Sequence, residues 1–286
     1  MSLKDSGCFQ WAIVGAGPAG IAAVGKLLDM GIPPAQIMWI DPNFKVGDLG
    51  TLWSNISSNT KVSLFTQFLE SIDSFNAINQ LKHFKLFTLS PDATCKLQHI
   101  VDPLQAITQD FLGKVRASHS LVKQISLADR HWEIITDSNQ YKANKVILAT
   151  GAIPLNLNYQ DVELLPFDIA IDSIKLEQVI HPESTYAVFG SSHSAIMIIK
   201  NLVDLGLKKI INFYRSPCRY AISLDDWTLF DNTGLKGETA QWAKEHIDGK
   251  LPPNVYRYLA SEQNIARHLP ECNKVIYAVG FEKRHN

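Results

Sequence analysis

The chain has 286 residues, room for two domains at about 100 to 200 residues apiece, and its 27 Lys plus Arg against 28 Asp plus Glu leave no long-range field to gather nucleic acid or an anionic membrane. No apolar run approaches the roughly 18 residues of a membrane helix, and the opening MSLKDSGC lacks the apolar core of a secretion signal, so a soluble cytoplasmic protein is expected. Cys8, Cys95, Cys218 and Cys272 form no C-x-x-C pair, which excludes that thiol-disulfide motif and a zinc knuckle, and four dispersed thiols suit a reducing compartment.

The apolar run FQWAIV at 9–14 meets the glycine cluster GAGPAG at 15–20, and Ile21, Val24, Leu27 and Leu28 then recur at helical spacing. Gly31 marks the end of that helix, Pro33 and Pro34 prevent its continuation, and QIMWID at 36–41 reads as a second strand ending in an acid. Residues 42–60 read as loop, and 61–114 give mostly helical patterns such as PLQAITQDFLGKV. The stretch 120–149 predicts a meander of strands, LVKQISL, HWEIIT and YKANKVILAT, with a turn at Asp137 to Asn139. TYAVFG at 185–190, SSHSA, IMIIKNLVDLG and KKIINFYR at 208–215 repeat the strand-glycine-helix-strand order. Mixed loops and helices fill 216–272, and KVIYAVGF at 274–281 is a last apolar strand.

Gly15, Gly17 and Gly20 occupy the glycine positions of G-x-G-x-x-G: a sharp turn, close approach of a pyrophosphate to the backbone, and close helix packing, with no side chain tolerated at any of them. The helix start that follows offers unpaired N–H groups and partial positive charge to phosphates. Asp41 stands 26 positions after Gly15, near the roughly 20-residue spacing of the acid that takes ribose hydroxyls. The plainer alternative is a glycine turn in some other α/β protein. The nine histidines show no metal-ligand spacing and no G-x-S-x-G elbow occurs, so neither a metal nor a hydrolytic site is expected.

With these motifs the chain resembles the two-dinucleotide-binding-domain flavoproteins, which include flavin-containing monooxygenases, N-hydroxylating monooxygenases and thioredoxin reductases. GAGPAG is similar to that family's FAD site, VILATG at 146–151 to its returning strand beside the flavin, VIYAVGF to its final strand motif, and FGSSHSA at 189–195 to its NADPH-binding turn. The resemblance implies cofactor contacts at Gly15, Ala16, Gly17, Pro18, Ala19, Gly20, Asp41, Pro42, Ala149, Thr150, Gly151 and Gly280 for FAD. For NADPH it implies Gly190, Ser191, Ser192 and Ser194. Arg215 ends the strand where the family often carries a basic residue, and a guanidinium there would pair with a 2′-phosphate; an acid would have favoured NAD. A surface arginine is the plainer alternative, and Lys208, Lys209 and Arg219 read as solvated charge. The loop GDLGTLWSNISSNTKVSLF is similar to the glycine-tryptophan loop of the monooxygenase branch, which implies Asn59 near the flavin ring as the catalytic candidate and Trp53 packed over cofactor. The alternatives are a polar turn for Asn59 and core packing for Trp53. That branch's histidine fingerprint is absent, its nearest counterpart being Asp172 in FDIAIDSIKLEQV, and His193 reads as structural.

The expected architecture is therefore α/β: two Rossmann-like three-layer domains, the second inserted in the first, with 1–153 plus 273–286 binding FAD and 154–272 binding NADPH, or NADH as the alternative. The expected activity is transfer of hydride from NADPH to FAD and reoxidation by oxygen, as in a monooxygenase acting on a small molecule. A reductase serving a quinone or other small acceptor and a nonenzymatic flavin-binding module are the alternatives. The family normally continues beyond its last strand to close over the flavin, so either a truncated C-terminus or a less completely held flavin is expected here; a homodimer is compatible with the sequence.

Overall fold

A computed structural model describes residues 8–76, 81–159 and 161–284; most of the polar opening stretch and the last two residues lie outside these. The chain divides into two compact units, Met1–Ala152 with Lys283–Asn286, and Ile153–Glu282. No described helix is long and apolar enough to cross a membrane.

In the first unit β1 (Phe9–Val14), α1 (Pro18–Asp29) and β2 (Ile37–Ile40) form the expected βαβ unit. It is followed by α2 (Gln98–Leu112), β3 (Arg116–Ser118) and the meander β4 (Val122–Ala128), β5 (His131–Thr136) and β6 (Gln140–Leu148). The sheet order is β3-β2-β1-β6-β5-β4, parallel from β3 to β6 and antiparallel beyond. All four residues of β2 are buried, as a parallel strand covered on both faces requires. Pro18 opens α1, where the N–H it lacks would have had no helical partner. Gly31, with φ +76°, closes it: its N–H donates to Leu28 O at 2.9 Å and that of Ile32 to Leu27 O at 3.0 Å, a left-handed cap that glycine adopts without strain. Ile21, Val24 and Leu27 point from α1 into a core shared with Trp39, Phe44, Phe75 and Phe111. The 61–114 stretch is mostly helical as expected, although residues 77–80 lie outside the described ones. Residues 42–60 are not all loop: a helix spans Gly47–Thr51, and Ser57–Lys61 pairs antiparallel with Thr94–Lys96.

In the second unit β7 (Thr185–Phe189), α3 (His193–Asp204), β8 (Lys209–Tyr214), β9 (Val255–Leu259) and β10 (Lys274–Tyr277) build a wholly parallel sheet, in the order β10-β7-β8-β9 with the short strand Glu163–Leu164 on the β10 edge. Two expectations are corrected. The strand Val255–Leu259 lies in a stretch read as loops and helices; its polar and aromatic alternation, VYRYL, hides a parallel strand. The terminal strand at 274–277 belongs to the second sheet and not to the first, because it pairs in register with β7, Phe189 opposite Tyr277. The second domain therefore runs to Glu282, not to 272, and the first resumes only at Lys283.

The left-handed cap makes a local prediction. Gly31→Ala should cost about 1 kcal/mol, seen in thermal unfolding as a loss of about 2–4 °C; an unchanged melting temperature would show that the cap does not hold α1.

Candidate functional site: two dinucleotide turns

β1 delivers the chain into a turn whose glycines are of two kinds. Gly15 has φ +106°, and a Cβ there would lie 2.3 Å from Ala149 O; at Gly20 a Cβ would lie 2.0 Å from Gly15 O. These two contacts press strand, turn and helix together. At Gly17 no atom of the protein lies within 4 Å of a Cβ. Gly17 instead faces open space at the start of α1. The first α1 hydrogen bond is from Ile21 N–H to Gly17 O, so the N–H groups of Ala19 and Gly20 precede the helical ladder, and no acidic residue sits in that first turn. A diphosphate fits such a place: amides pointing outward, positive helix end, no side chain in the way.

Ala149, Thr150 and Gly151 continue β6 beside this turn, Ala149 N–H donating to Val14 O at 2.8 Å. Trp39 of β2 is fully buried and donates its Nε1–H to Gly15 O at 2.9 Å. The half-buried Asp41 carboxylate accepts three backbone N–H groups, Ala16 at Oδ2 (2.8 Å) and Asn43 and Phe44 at Oδ1 (2.8 and 2.7 Å). It thus fastens the glycine turn to the loop after β2, and a sugar hydroxyl would share it with those donors. Pro42 is exposed at the head of that loop. Phe44, Val46 and Gly47 all have positive φ, of 52°, 59° and 59°, and a Cβ at Gly47 would lie 2.9 Å from Gly17 Cα. A β-branched residue in the left-handed region is strained; Val46 is held there by complete burial. Trp53 is half-buried with its backbone N–H on Asp48 O, and Asn59 lies half-buried in the strand Ser57–Lys61, not at a turn.

The second turn repeats the build. Gly190 has φ +126°, and a Cβ there would lie 2.4 Å from Ala278 O, just as Gly15 abuts Ala149 O. Gly190 N–H donates to Phe213 O, and Ala278 N–H to Phe189 O, both at 2.9 Å, matching Gly15 to Ile40 O and Ala149 to Val14 O. Ser192 takes the place of Gly17 as the residue before the helix, with its hydroxyl not used as a cap, and Ala195 that of Gly20. Above this turn opens a cavity of about 410 Å³, lined by Gly190, Ser191 and Ser192, by Arg215 and Ser216 after β8, by Ala260 and Ile265 after β9, and by Ala278 to Gly280 after β10. Its position beyond the carboxyl ends of parallel strands is where open α/β sheets take ligands. The connection after Ile153 supplies a wall, Leu155, Leu157 and Tyr159, and the floor is aromatic: Phe189 stacks on Phe213 at 4.8 Å and Tyr159 on Phe189 at 5.3 Å.

Arg215 is thus brought to the turn that sequence paired with it. Ser194 sits in the first turn of α3 and does not line the cavity. Gly280, expected in the FAD-binding part of the chain, lines the second unit's cavity, because the strand before it joins the second sheet. Asp172 is a helix cap: its carboxylate is buried and accepts from Ile174 N–H and Lys175 N–H, which accounts for it without a cofactor. Lys208 and Lys209 pair with Glu183 and Glu271, as surface charges do. Ile265, Ala260 and the wall at 155–159 escaped the sequence; recognising Val255–Leu259 as a parallel strand would have pointed to the residues that follow it. All four cysteines are free thiols, and burial pushes Cys95 and Cys218 up and Cys272 to about 12, so these three are protonated and poorly nucleophilic at neutral pH.

A family model described as pyridine nucleotide-disulphide oxidoreductase matches residues 12–286. The monooxygenase AgnR1 of Paecilomyces divaricatus is 34% identical over 307 aligned positions, which cover 95% of this chain and 78% of that protein. Among solved structures, the ornithine N-hydroxylase of Kutzneria sp. 744 has a TM-score of 0.66 at 12% identity over 96% of this chain and 81% of its own. A flavin-containing monooxygenase from Stenotrophomonas maltophilia has 0.62 at 15% identity, over 96% of this chain and 78% of its own. The paired Rossmann-like units, their two glycine turns and this likeness along nearly the whole sequence agree: the chain belongs to the pyridine nucleotide-disulphide oxidoreductase family.

Proposed function

We propose that this protein is an FAD-dependent oxidoreductase reduced by NADPH and working as a monooxygenase on a small molecule. The observation that carries the reading is the meeting of Arg215 with the Gly190–Ser192 turn around one nucleotide-sized cavity, in a chain whose other turn has an acid, Asp41, at the end of the second strand. A guanidinium beside a dinucleotide turn suits a 2′-phosphate, and an acid suits unmodified ribose hydroxyls. The FAD domain is then Met1–Ala152 with Lys283–Asn286 and the NADPH domain Ile153–Glu282. The relative AgnR1 is named a monooxygenase, and the Kutzneria structure is described with reduced FAD, NADP+ and L-ornithine.

Gly15 to Gly20 and the start of α1 would hold the FAD diphosphate, with Asp41 on the ribose and Ala149 to Gly151 alongside. Ser191 and Ser192 would take the NADPH diphosphate and Arg215 its 2′-phosphate, while Ala260 and Ile265 offer apolar faces to the adenine. FAD held there would supply the redox chemistry, exchange of two electrons between nicotinamide and oxygen. Asn59 and Trp53 are our candidates for contact with the flavin. The buried thiols leave no dithiol of C-x-x-C spacing to act as acceptor, and four free cysteines fit a cytoplasmic setting.

Anaerobic mixing of the FAD-loaded protein with NADPH should bleach the flavin, and air should restore the colour with uptake of oxygen. Reoxidation only by an added quinone would mark a reductase, and no bleaching by NADPH or NADH a binding module; either contradicts the proposal. Arg215→Ala should weaken NADPH binding by about 10- to 100-fold and leave NADH binding unchanged; an unaltered preference would remove Arg215 from the site. Gly17→Val should fold with the parent's melting temperature yet retain little FAD, whereas Gly20→Ala should lose stability; full FAD retention by Gly17→Val would contradict the diphosphate assignment.

A further inference from the structure

The two turns share a feature at the same place in each βαβ unit. Trp39 lies opposite Ile13, two residues before Gly15, and Asn212 lies opposite Val188, two residues before Gly190. Each sends a side-chain N–H to the carbonyl of the turn's first glycine: Trp39 Nε1 to Gly15 O and Asn212 Nδ2 to Gly190 O, both at 2.9 Å. An indole and a carboxamide have only that donor in common.

Asn212 is 0% exposed and its amide is fully engaged. Nδ2 donates to Val188 O and Gly190 O, each at 2.9 Å, and Oδ1 accepts from Arg257 Nε at 2.9 Å. Two carbonyls on one side and a guanidinium on the other fix the amide's orientation unambiguously. Arg257 is itself held on the Tyr214 ring, 4.6 Å from its centroid. A cation on Oδ1 draws electrons from the amide and strengthens its N–H donors. In a trans peptide the carbonyl and the following N–H point in opposite directions, so holding Gly190 O inward on Asn212 turns the Ser191 N–H outward. In the first unit the matching N–H, that of Ala16, donates away from Trp39, to Asp41 Oδ2 at 2.8 Å. In the second unit the position of Asp41 is taken by Tyr214, and Ser191 lines the cavity.

We infer that Asn212, polarised by Arg257, is a positioning residue for the nicotinamide dinucleotide: its amide sets the Gly190–Ser191 peptide so that the turn presents an N–H to the diphosphate. The inference deepens the NADPH reading above and rests on it.

Asn212→Asp tests it at pH 8, since the carboxylate keeps an acceptor for Arg257 but has no N–H to give. Asn212→Val, which removes donor and acceptor together, serves as the second variant if the first is insoluble. In the FAD-loaded protein, NADPH binding followed by quenching of protein fluorescence should weaken about tenfold in either variant. FAD content, and the limiting rate of flavin bleaching at saturating NADPH, should stay within about twofold of the parent, a split that general destabilisation would not give. Parent-like NADPH affinity in Asn212→Asp overturns the inference, because pairing with Arg257 alone would then suffice. An equal fall in FAD content and NADPH affinity overturns it too, by marking a general structural role. Failure of the parent itself to bind NADPH would instead overturn the nicotinamide reading.

Discussion

Backbone pressed against backbone is the constraint from which both turns follow. Gly15 lies against the carbonyl of Ala149 and Gly190 against that of Ala278, each where a Cβ would come within 2.4 Å of an oxygen. Such contact is possible only because the neighbouring parallel strand, β6 in one unit and β10 in the other, continues alongside to an alanine whose N–H bonds back to the last residue of the first strand. The chain must then turn at once, and the helix after the turn begins with its amides aimed at open space. Anion binding is thus a by-product of close packing, available before any side chain is chosen.

Side chains divide the labour between the two copies. At the end of the second strand the first unit has Asp41, which ties the turn to a strained loop carrying Phe44 and Val46 at positive φ. The second unit has Tyr214 followed by Arg215, an aromatic shelf for Arg257 and a cation lining the cavity. On the proposed reading one surrounding suits neutral sugar hydroxyls and the other an added phosphate. Beneath each turn a buried donor, indole or carboxamide, takes up the glycine carbonyl that the turn leaves facing inward. Leaving such a carbonyl unpaired would cost about 1–3 kcal/mol.

Much of this was legible in the sequence because its signals are local. GAGPAG, the Gly31–Pro34 stop and the short run KKIINFY after its helix need only neighbours in the chain, and the βαβ units they imply are present. The placement of the last strand was not legible: VIYAVGF carries the same signal as VILATG, and only register with β7 shows which sheet it completes. Val255–Leu259 was missed because Arg257 and two tyrosines interrupt the apolar run expected of a buried parallel strand. Arg257 is there to serve Asn212, a demand that comes from 45 residues away. Asp172, the nearest counterpart to the absent histidine, is a helix cap whose carboxylate is spent on two helix amides.

The central claim is that one chain holds two dinucleotides at once, each on its own turn. Equilibrium dialysis of the protein against FAD and NADP+ together tests it most directly. The account predicts one FAD and one NADP+ bound per chain, with FAD retained undiminished as NADP+ reaches saturation. Displacement of one dinucleotide by the other, or binding of a single dinucleotide per chain, would contradict it.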